Sequence, residues 1–309
     1  MRTDRAEVAV PNAVVMPAGQ TAARACAVCG ASTRARAGLV VCTRCGHVDG
    51  SADIATGVVV NEDPNRVPAG RPTLLQREQL HLVSPLVRPG TQLIDVGCSN
   101  GGFLFAARHA FDLAPASYGV EVSRPNLEAA EHAGLRVEPA LAEVESGAVV
   151  TFWHSAEHFP VPQLVELLRE VRERSASRVT VLIAVPNGAS LQWLVTRRRW
   201  TYYDPGAHYS QFTPRSLGET VAAAGYAVAR RRRSPVYGAF GAIQSSINLL
   251  RPRNELYNAL KRGEGRLSAG ALAATGFAAV LTSPLMAALA TAEVSTSRSS
   301  VLTVECRPQ

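Results

Sequence analysis

One feature constrains the fold more than any other: from Leu74 to Cys306, short apolar runs of strand character alternate with stretches of helical spacing. "LLQREQLHLV" has helical spacing, "TQLIDV" reads as a buried strand, "GGFLFAARHA" as a helix, "SYGVEV" as a strand and "NLEAAEHAG" as a helix ending at a glycine. The strands "AVVTFW" and "RVTVLIAV" then flank the amphipathic "QLVELLREVRE", and "SLGETVAAAG" reads as a helix ahead of the strands "YAVARR" and "SVLTVEC". Apolar strands joined by crossover helices require a mostly parallel sheet covered on both faces, so the expected class is α/β. A chain of 309 residues, 47% of them apolar, can fill one such domain and a small module beside it, which excludes disorder throughout.

The turn after the first sheet strand narrows the ligand. In "LIDVGCSNGG", Leu93 to Gly102, no lysine followed by Ser or Thr comes after the glycines, so a phosphate P-loop is excluded. The small positions are Gly97, Ser99 and Gly101, with Asp95 two residues ahead, where a carboxylate would repel a pyrophosphate. An acid at a strand end beside a tight turn suits a ligand with an ammonium and no phosphate, and S-adenosylmethionine is one. Glu121 ends the next strand, in "YGVEVS", placed to accept hydrogen bonds from two ribose hydroxyls.

These pieces, with "VTFWHSAEHFP" and "VLIAVPNGASLQWL…WTYYDPGAHYSQFTPRSLGETVAAAGYAV", resemble the class I S-adenosylmethionine-dependent methyltransferases over roughly 80–228 plus a final strand. The resemblance implies a seven-stranded, Rossmann-like sheet. It also implies a cofactor held by Asp95, Gly97, Cys98, Ser99, Asn100, Gly101, Glu121 and Trp153. Ser99 stands where the family has a glycine, a replacement that is tolerable if its φ is negative. No clear acid follows the third strand to hold the adenine amine, which leaves Glu138 and Glu143 as candidates.

Methyl transfer from a sulfonium requires alignment and, for oxygen or carbon nucleophiles, removal of a proton. The bases on offer are His154, Glu157 and His158 in "WHSAEH" and His208 in "DPGAHY", with Tyr209 beside the last. The same four resemble the set with which some small-RNA 2′-O-methyltransferases and ubiquinone-pathway enzymes hold a divalent ion. Here His154 replaces the usual acid, which favours a softer ion or a metal-free base network.

Ahead of this domain, Cys26 and Cys29 are separated by twelve residues from Cys42 and Cys45, in "CAVCG" and "CTRCG". A two-residue gap lets both thiolates of a pair reach one ion, and Gly30 and Gly46 allow the turns that aim N–H groups at sulfur. The spacing predicts a zinc ribbon, and four thiolates close the tetrahedron, so this zinc is structural. Cys98 and Cys306 read as small core residues. The expected division is a tail over 1–22, the ribbon over 23–60 and the methyltransferase domain over 71–309, with a helical lid or insertion over about 238–297.

Early acids and Pro11 and Pro17 break any secretory layout, so a cytoplasmic location is expected, at most peripheral to the inner face of the membrane. The net charge of +7 favours anionic partners. Arg197–Arg199 adjoin Trp200, Tyr202 and Tyr203 in a loop suited to an anionic substrate, whereas "RRRR" at 230–233 reads as a solvated edge. The ribbon carries only Arg34, Arg36 and Arg44 between its outer cysteines and no aromatic residue, which argues against nucleic acid. Leu267 to Ala292 contains no charge but lies between two strands of one sheet, so it reads as a lid, a dimer contact or a membrane-surface segment rather than a span. The expected function is methylation of a small-molecule or lipid-linked acceptor in a specialised-metabolite or cell-envelope pathway. The alternatives are an RNA or protein methyltransferase, or a non-catalytic scaffold.

Overall fold

The computed structural model describes residues 25–36, 39–50, 67–68, 70–204, 206–255, 257, 267–296 and 298–309. The expected tail, 1–22, and the end of the expected ribbon span, 51–60, lie outside the described residues, as does 258–266 of the expected insertion.

The chain begins with a small antiparallel unit, β1 (Thr33–Arg36), β2 (Leu39–Cys42) and β3 (Val48–Asp49). Helix α1 (Leu74–Val83) follows, opened by a reciprocal cap in which the Thr73 hydroxyl accepts from the Gln76 amide and the Gln76 side chain accepts from the Thr73 amide. The main domain then runs β4 (Leu93–Val96), α2 (Gly102–Ala110), β5 (Tyr118–Val120), α3 (Arg124–His132), β6 (Val137–Glu138), β7 (Ala148–Trp153), α4 (Val161–Arg174) and β8 (Val179–Pro186). It continues through α5 (Leu191–Thr196), β9 (Ser210–Gln211), α6 (Pro214–Ala223), β10 (Tyr226–Arg232), α7 (Pro235–Leu250), α8 (Ala269–Ser295) and β11 (Val301–Pro308).

Seven strands form one sheet in the order β10-β11-β8-β7-β4-β5-β6. β8, β7, β4, β5 and β6 are mutually parallel, and β11 is antiparallel to both of its neighbours. This is the seven-stranded, Rossmann-like arrangement that the resemblance implies, with the helical insertion before the last strand.

Period-two alternation explains how single strands serve two cores. Ile94, Val150, Phe152, Val181 and Ile183 face one side, under Leu164 and Leu168 of α4 and Leu217 of α6. Leu93, Val149, Trp153, Leu182 and Ala184 face the other, with Leu82 and Val83 of α1 and Phe103 and Leu104 of α2. The edge strand β10 exposes Arg230 and Arg231, as the solvated-edge reading expects, while Arg232 pairs with the buried Glu305 at 2.6 Å.

The ribbon is joined to this domain through a shared sheet, because β3 pairs with β9 to give the order β1-β2-β3-β9. The Gly50 amide donates to the Tyr209 carbonyl at 2.8 Å, the Thr213 hydroxyl donates to the Cys45 carbonyl at 2.7 Å, and His47 packs on Phe212 with ring centroids 5.5 Å apart.

Candidate active site

The parallel strands β5, β4, β7 and β8 end along one edge of the sheet, the place where open α/β sheets bind ligands. The turn after β4 carries positive φ at Gly97 (72°), Ser99 (51°) and Gly101 (80°). The condition of a negative φ at Ser99 is therefore not met: the serine adopts a left-handed conformation, which costs a non-glycine residue about 1 kcal/mol or more. A Cβ at Gly97 would run into Ser155, whose hydroxyl donates to the Val96 carbonyl at 2.6 Å, so the turn after β4 and the turn after β7 are fastened to each other.

Asp95 lies beneath this turn, almost wholly buried, and accepts a hydrogen bond from Thr151 at 2.7 Å. Burial pushes its carboxyl up to about 7 despite that bond, and the nearby Glu121 charge adds to the rise. One oxygen of Glu121 accepts from the amides of Val122 (2.9 Å) and Ser123 (2.8 Å), which fixes the carboxylate at the end of β5. Asn100 caps the next turn by accepting from the Gly102 amide. Trp153 ends β7 edge-on to Phe103, with its indole Nε1 buried and lacking a hydrogen-bond partner. Cys98 is buried, and its thiol is pushed well up by burial and by the Asp95 and Glu121 charges, so it is not a nucleophile. Cys306 is a core residue as expected, its thiol pushed up to about 12 by burial. Both candidates for an adenine acid are committed to Arg136, Glu138 at 3.0 Å and Glu143 through two guanidinium nitrogens.

The other four candidates form one cluster at the end of β7. His154 has a positive φ of 54°, an uncommon conformation that turns its ring back between Tyr202 and Tyr237, at centroid distances of 5.4 and 4.7 Å. Its Nδ1 lies 3.5 Å from a carboxylate oxygen of Glu157, and the Nε2 of His208 lies 4.0 Å from the same oxygen. Glu157 is 1% exposed, and neither of its oxygens has a hydrogen-bond partner. Burial raises its carboxyl, but His154, then the charges of His208 and His158, outweigh burial and hold it below its ordinary value. Burial drives His208 down to about 4, against the pull of the Glu157 charge, so that ring is neutral near pH 7. His158 packs edge-on to His208 at 4.9 Å, and its Nδ1 lies 2.9 Å from the Ala207 carbonyl, which assigns the proton to Nδ1 and the lone pair to Nε2.

The segment carrying His208 is held from two sides. The Tyr209 amide donates to the Glu157 carbonyl at 2.9 Å, and the Tyr209 carbonyl accepts from Gly50 of the ribbon.

Sequence reasoning missed Tyr237 altogether. It opens α7, which is anchored on α1 because Glu78 accepts from the amides of Val236 and Tyr237, and the Tyr237 hydroxyl accepts from Gln79 at 2.9 Å. Tyr202 is fixed by donating to the Tyr237 carbonyl at 2.7 Å. Only its neighbourhood to the Arg197–Arg199 run had marked Tyr202.

The ribbon cysteines meet the demands of zinc. The Cys26 and Cys45 sulfurs are 3.7 Å apart and those of Cys29 and Cys42 3.4 Å, near the roughly 3.8 Å edge of a tetrahedron with 2.3 Å Zn–S bonds. The amides of Arg44 and Cys45 point at the Cys42 sulfur, and Gly30 and Gly46 have the positive φ that the two turns need. Burial opposes ionisation of Cys42, but these amides and the neighbouring thiols bring it down to about 6, whereas burial raises the Cys26 and Cys45 thiols, so without a metal the cluster favours one thiolate rather than four.

A family model described as a methyltransferase domain matches residues 70–230. No curated protein matches the chain. Among solved structures, a cyclopropane synthase from Mycobacterium tuberculosis is similar at 14% identity and a TM-score of 0.49, over 80% of this chain and 91% of its own. A mycolic acid cyclopropane synthase complexed with SAH and CTAB is 16% identical, with a TM-score of 0.48, over 75% of this chain and 84% of its own. A SAM-dependent methyltransferase from Archaeoglobus fulgidus is 17% identical, with a TM-score of 0.46, over 77% and 95% respectively.

Proposed function

Because the chain belongs to the methyltransferase-domain family and is an S-adenosylmethionine-dependent methyltransferase, we propose that it methylates a small-molecule or lipid-linked acceptor that gives up a proton as it is methylated. The pathway we assign is specialised-metabolite or cell-envelope biosynthesis in the cytoplasm. The observation that carries this reading is the convergence of His154, Glu157, His158 and His208 beside the turn of Gly97, since methylation without proton removal needs no such buried cluster.

In this reading Asp95 and the backbone of Gly97, Cys98, Ser99, Asn100 and Gly101 receive the methionine end of the cofactor. Glu121 receives the ribose through the oxygen that the Val122 and Ser123 amides leave, and Trp153 offers its unpartnered indole N–H. S-adenosylmethionine supplies a methyl group already activated by its sulfonium. His158 accepts the acceptor's proton at Nε2, because the Ala207 carbonyl holds the other proton at Nδ1. His208 buttresses the His158 ring edge-on, and Glu157 stabilises the positive charge that then develops. Tyr202 and Tyr237 flank the His154 ring and keep water from it.

One observation favours a second reading. Glu157, His158 and His208 each offer a ligand atom, all within 4.8 Å of one another, and two imidazoles with one carboxylate suit a borderline divalent ion. Such an ion would orient the acceptor, and Glu157, His158 and His208 would be its ligands. Metal analysis of the Glu157→Gln variant separates the readings: an ion beyond the ribbon's zinc that the variant loses selects the second.

Calorimetric titration of the zinc-loaded protein with S-adenosylmethionine and S-adenosylhomocysteine tests the cofactor assignment. Micromolar binding that Glu121→Ala weakens supports it, and affinity unchanged in that variant removes the ribose role of Glu121.

A further inference from the structure

Of the twelve large apolar side chains exposed among the described residues, nine lie on α5, α7 and α8, and five of these are on α8. The three helices pack on one another. Glu293, near the end of α8, accepts from the backbone and side-chain amides of Gln192 on α5, and the Gln192 side chain also donates to the Gly238 carbonyl in the first turn of α7. The end of α8 therefore lies beside the start of α7, and the two run antiparallel. On α8, Phe277, Val280, Leu281 and Leu285 recur at i, i+3, i+4 and i+8, forming one exposed stripe. Thr275, Met286 and Glu293 are buried on the opposite side. No charge interrupts Leu267 to Ala292, and Ala269–Glu293 is long and apolar enough to cross a membrane by length and composition.

In the chain, basic residues flank the three helices. Arg197, Arg198 and Arg199 follow α5, Arg251 and Arg253 follow α7, and in the sequence Lys261, Arg262 and Arg266 precede α8. The acids in these connecting stretches are Asp204, Glu255 and Glu264, of which Asp204 pairs with Arg253 and Glu255 with Arg251, so cations outnumber acids eight to three.

We propose that the α5–α7–α8 face docks in the plane of an anionic phospholipid surface, with the α8 stripe among the acyl chains and the arginine-rich helix ends at the lipid phosphates. A single span does not fit. α7 leaves β10 and α8 returns to β11 in the same sheet, so both ends of the hairpin belong to one side of a bilayer. A second copy of the chain on this face would set one set of basic helix ends near another, whereas anionic lipid neutralises them. The proposal holds whichever acceptor the site takes. It places the site flanked by Tyr237, the third residue of α7, next to the membrane surface.

Flotation of the zinc-loaded full chain with phosphatidylcholine vesicles, and with vesicles containing about one-third phosphatidylglycerol, tests it. The expected result is binding to the anionic vesicles, weakened by salt and lowered about tenfold or more by Phe277→Asp with Leu281→Asp. Both residues are exposed, so the variant should keep the wild-type circular dichroism and melting midpoint. Equal binding by variant and wild type, or no binding by the folded wild type, overturns the proposal. So does a lipid-free dimer in sedimentation velocity that the double variant dissociates, because the face then belongs to a second copy.

Discussion

The backbone amide of Gly50, on the zinc ribbon, donates to the carbonyl of Tyr209, whose own amide donates to the carbonyl of Glu157. A two-bond path thus runs from the cysteine module to the centre of the histidine cluster, and a Cβ at position 50 would collide with the His208 carbonyl. Gly50→Ala should cost about 2 kcal/mol, because backbone rather than a flexible side chain must yield. It should also depress methyl transfer more than cofactor affinity. Denaturant melts and calorimetric cofactor titration check both parts; an unperturbed variant would show that the contact is incidental.

Removing the zinc that the cysteine spacing predicts should act along the same path. With four thiolates and no metal the ribbon loses the centre that folds it, and β9 loses its partner strand. Chelation should therefore raise amide hydrogen exchange first in 26–50 and then in 208–213, while β4 and β5 stay protected. Mass-resolved exchange reads this without any activity measurement.

Asp95 predicts a proton linkage. Its carboxyl is raised from 3.8 to about 7, so the unfolded chain ionises first as pH climbs and the folded protein loses stability across that window. A bound ammonium would pull the carboxyl back down. Cofactor binding near pH 7 should then release protons, seen as a binding enthalpy that depends on the buffer's ionisation enthalpy. Asp95→Asn should abolish the dependence and flatten the stability profile.

Glu157→Gln keeps the shape of the cluster and removes its charge. With the carboxylate as stabiliser of a protonated histidine, turnover should fall about 100-fold. The cofactor dissociation constant should move less than twofold, since the charged partners of Glu157 are His154, His158 and His208. Single-turnover rates with an identified acceptor give the first quantity and calorimetry the second.

His208 sets an acid limit. Its folded value, about 4 against an ordinary 6.5, means that the unfolded chain takes up the proton first as pH falls. Stability from this group is complete above pH 6.5 and is lost between there and pH 4. Melting temperatures of zinc-loaded His208→Asn should decline less steeply over that interval than those of the wild type.

How far the sequence reveals this architecture depends on the range of the interactions. "LLQREQLHLV" coincides with α1 and "AVVTFW" with β7, because periodicity and burial act within a few residues. The histidine cluster was legible for a related reason, since three of its four members lie within five residues, 154–158, and the fourth precedes a strand. What escaped are features that long-range contacts create. β9 has two residues and no period of its own, and exists because the ribbon pairs with it. Tyr237 reaches the site only because Glu78 and Gln79, 158 residues away from their partners, tie down the start of α7. Ser99 is a local case: a negative φ would make the serine easy to accommodate, and the demands of the turn impose a positive one instead.

The position of β11 bears on how the molecule is made. β8 and β10 are both synthesised before the helical hairpin, yet neither touches the other; each waits for the strand that follows α8. Until residues 301–308 emerge, one flank of β8 presents bare amides and carbonyls, and the apolar hairpin hangs from a half-built sheet. A nascent chain in that condition invites chaperone capture or early lodging of the hairpin on lipid, and closure of the sheet becomes a late, slow event in maturation.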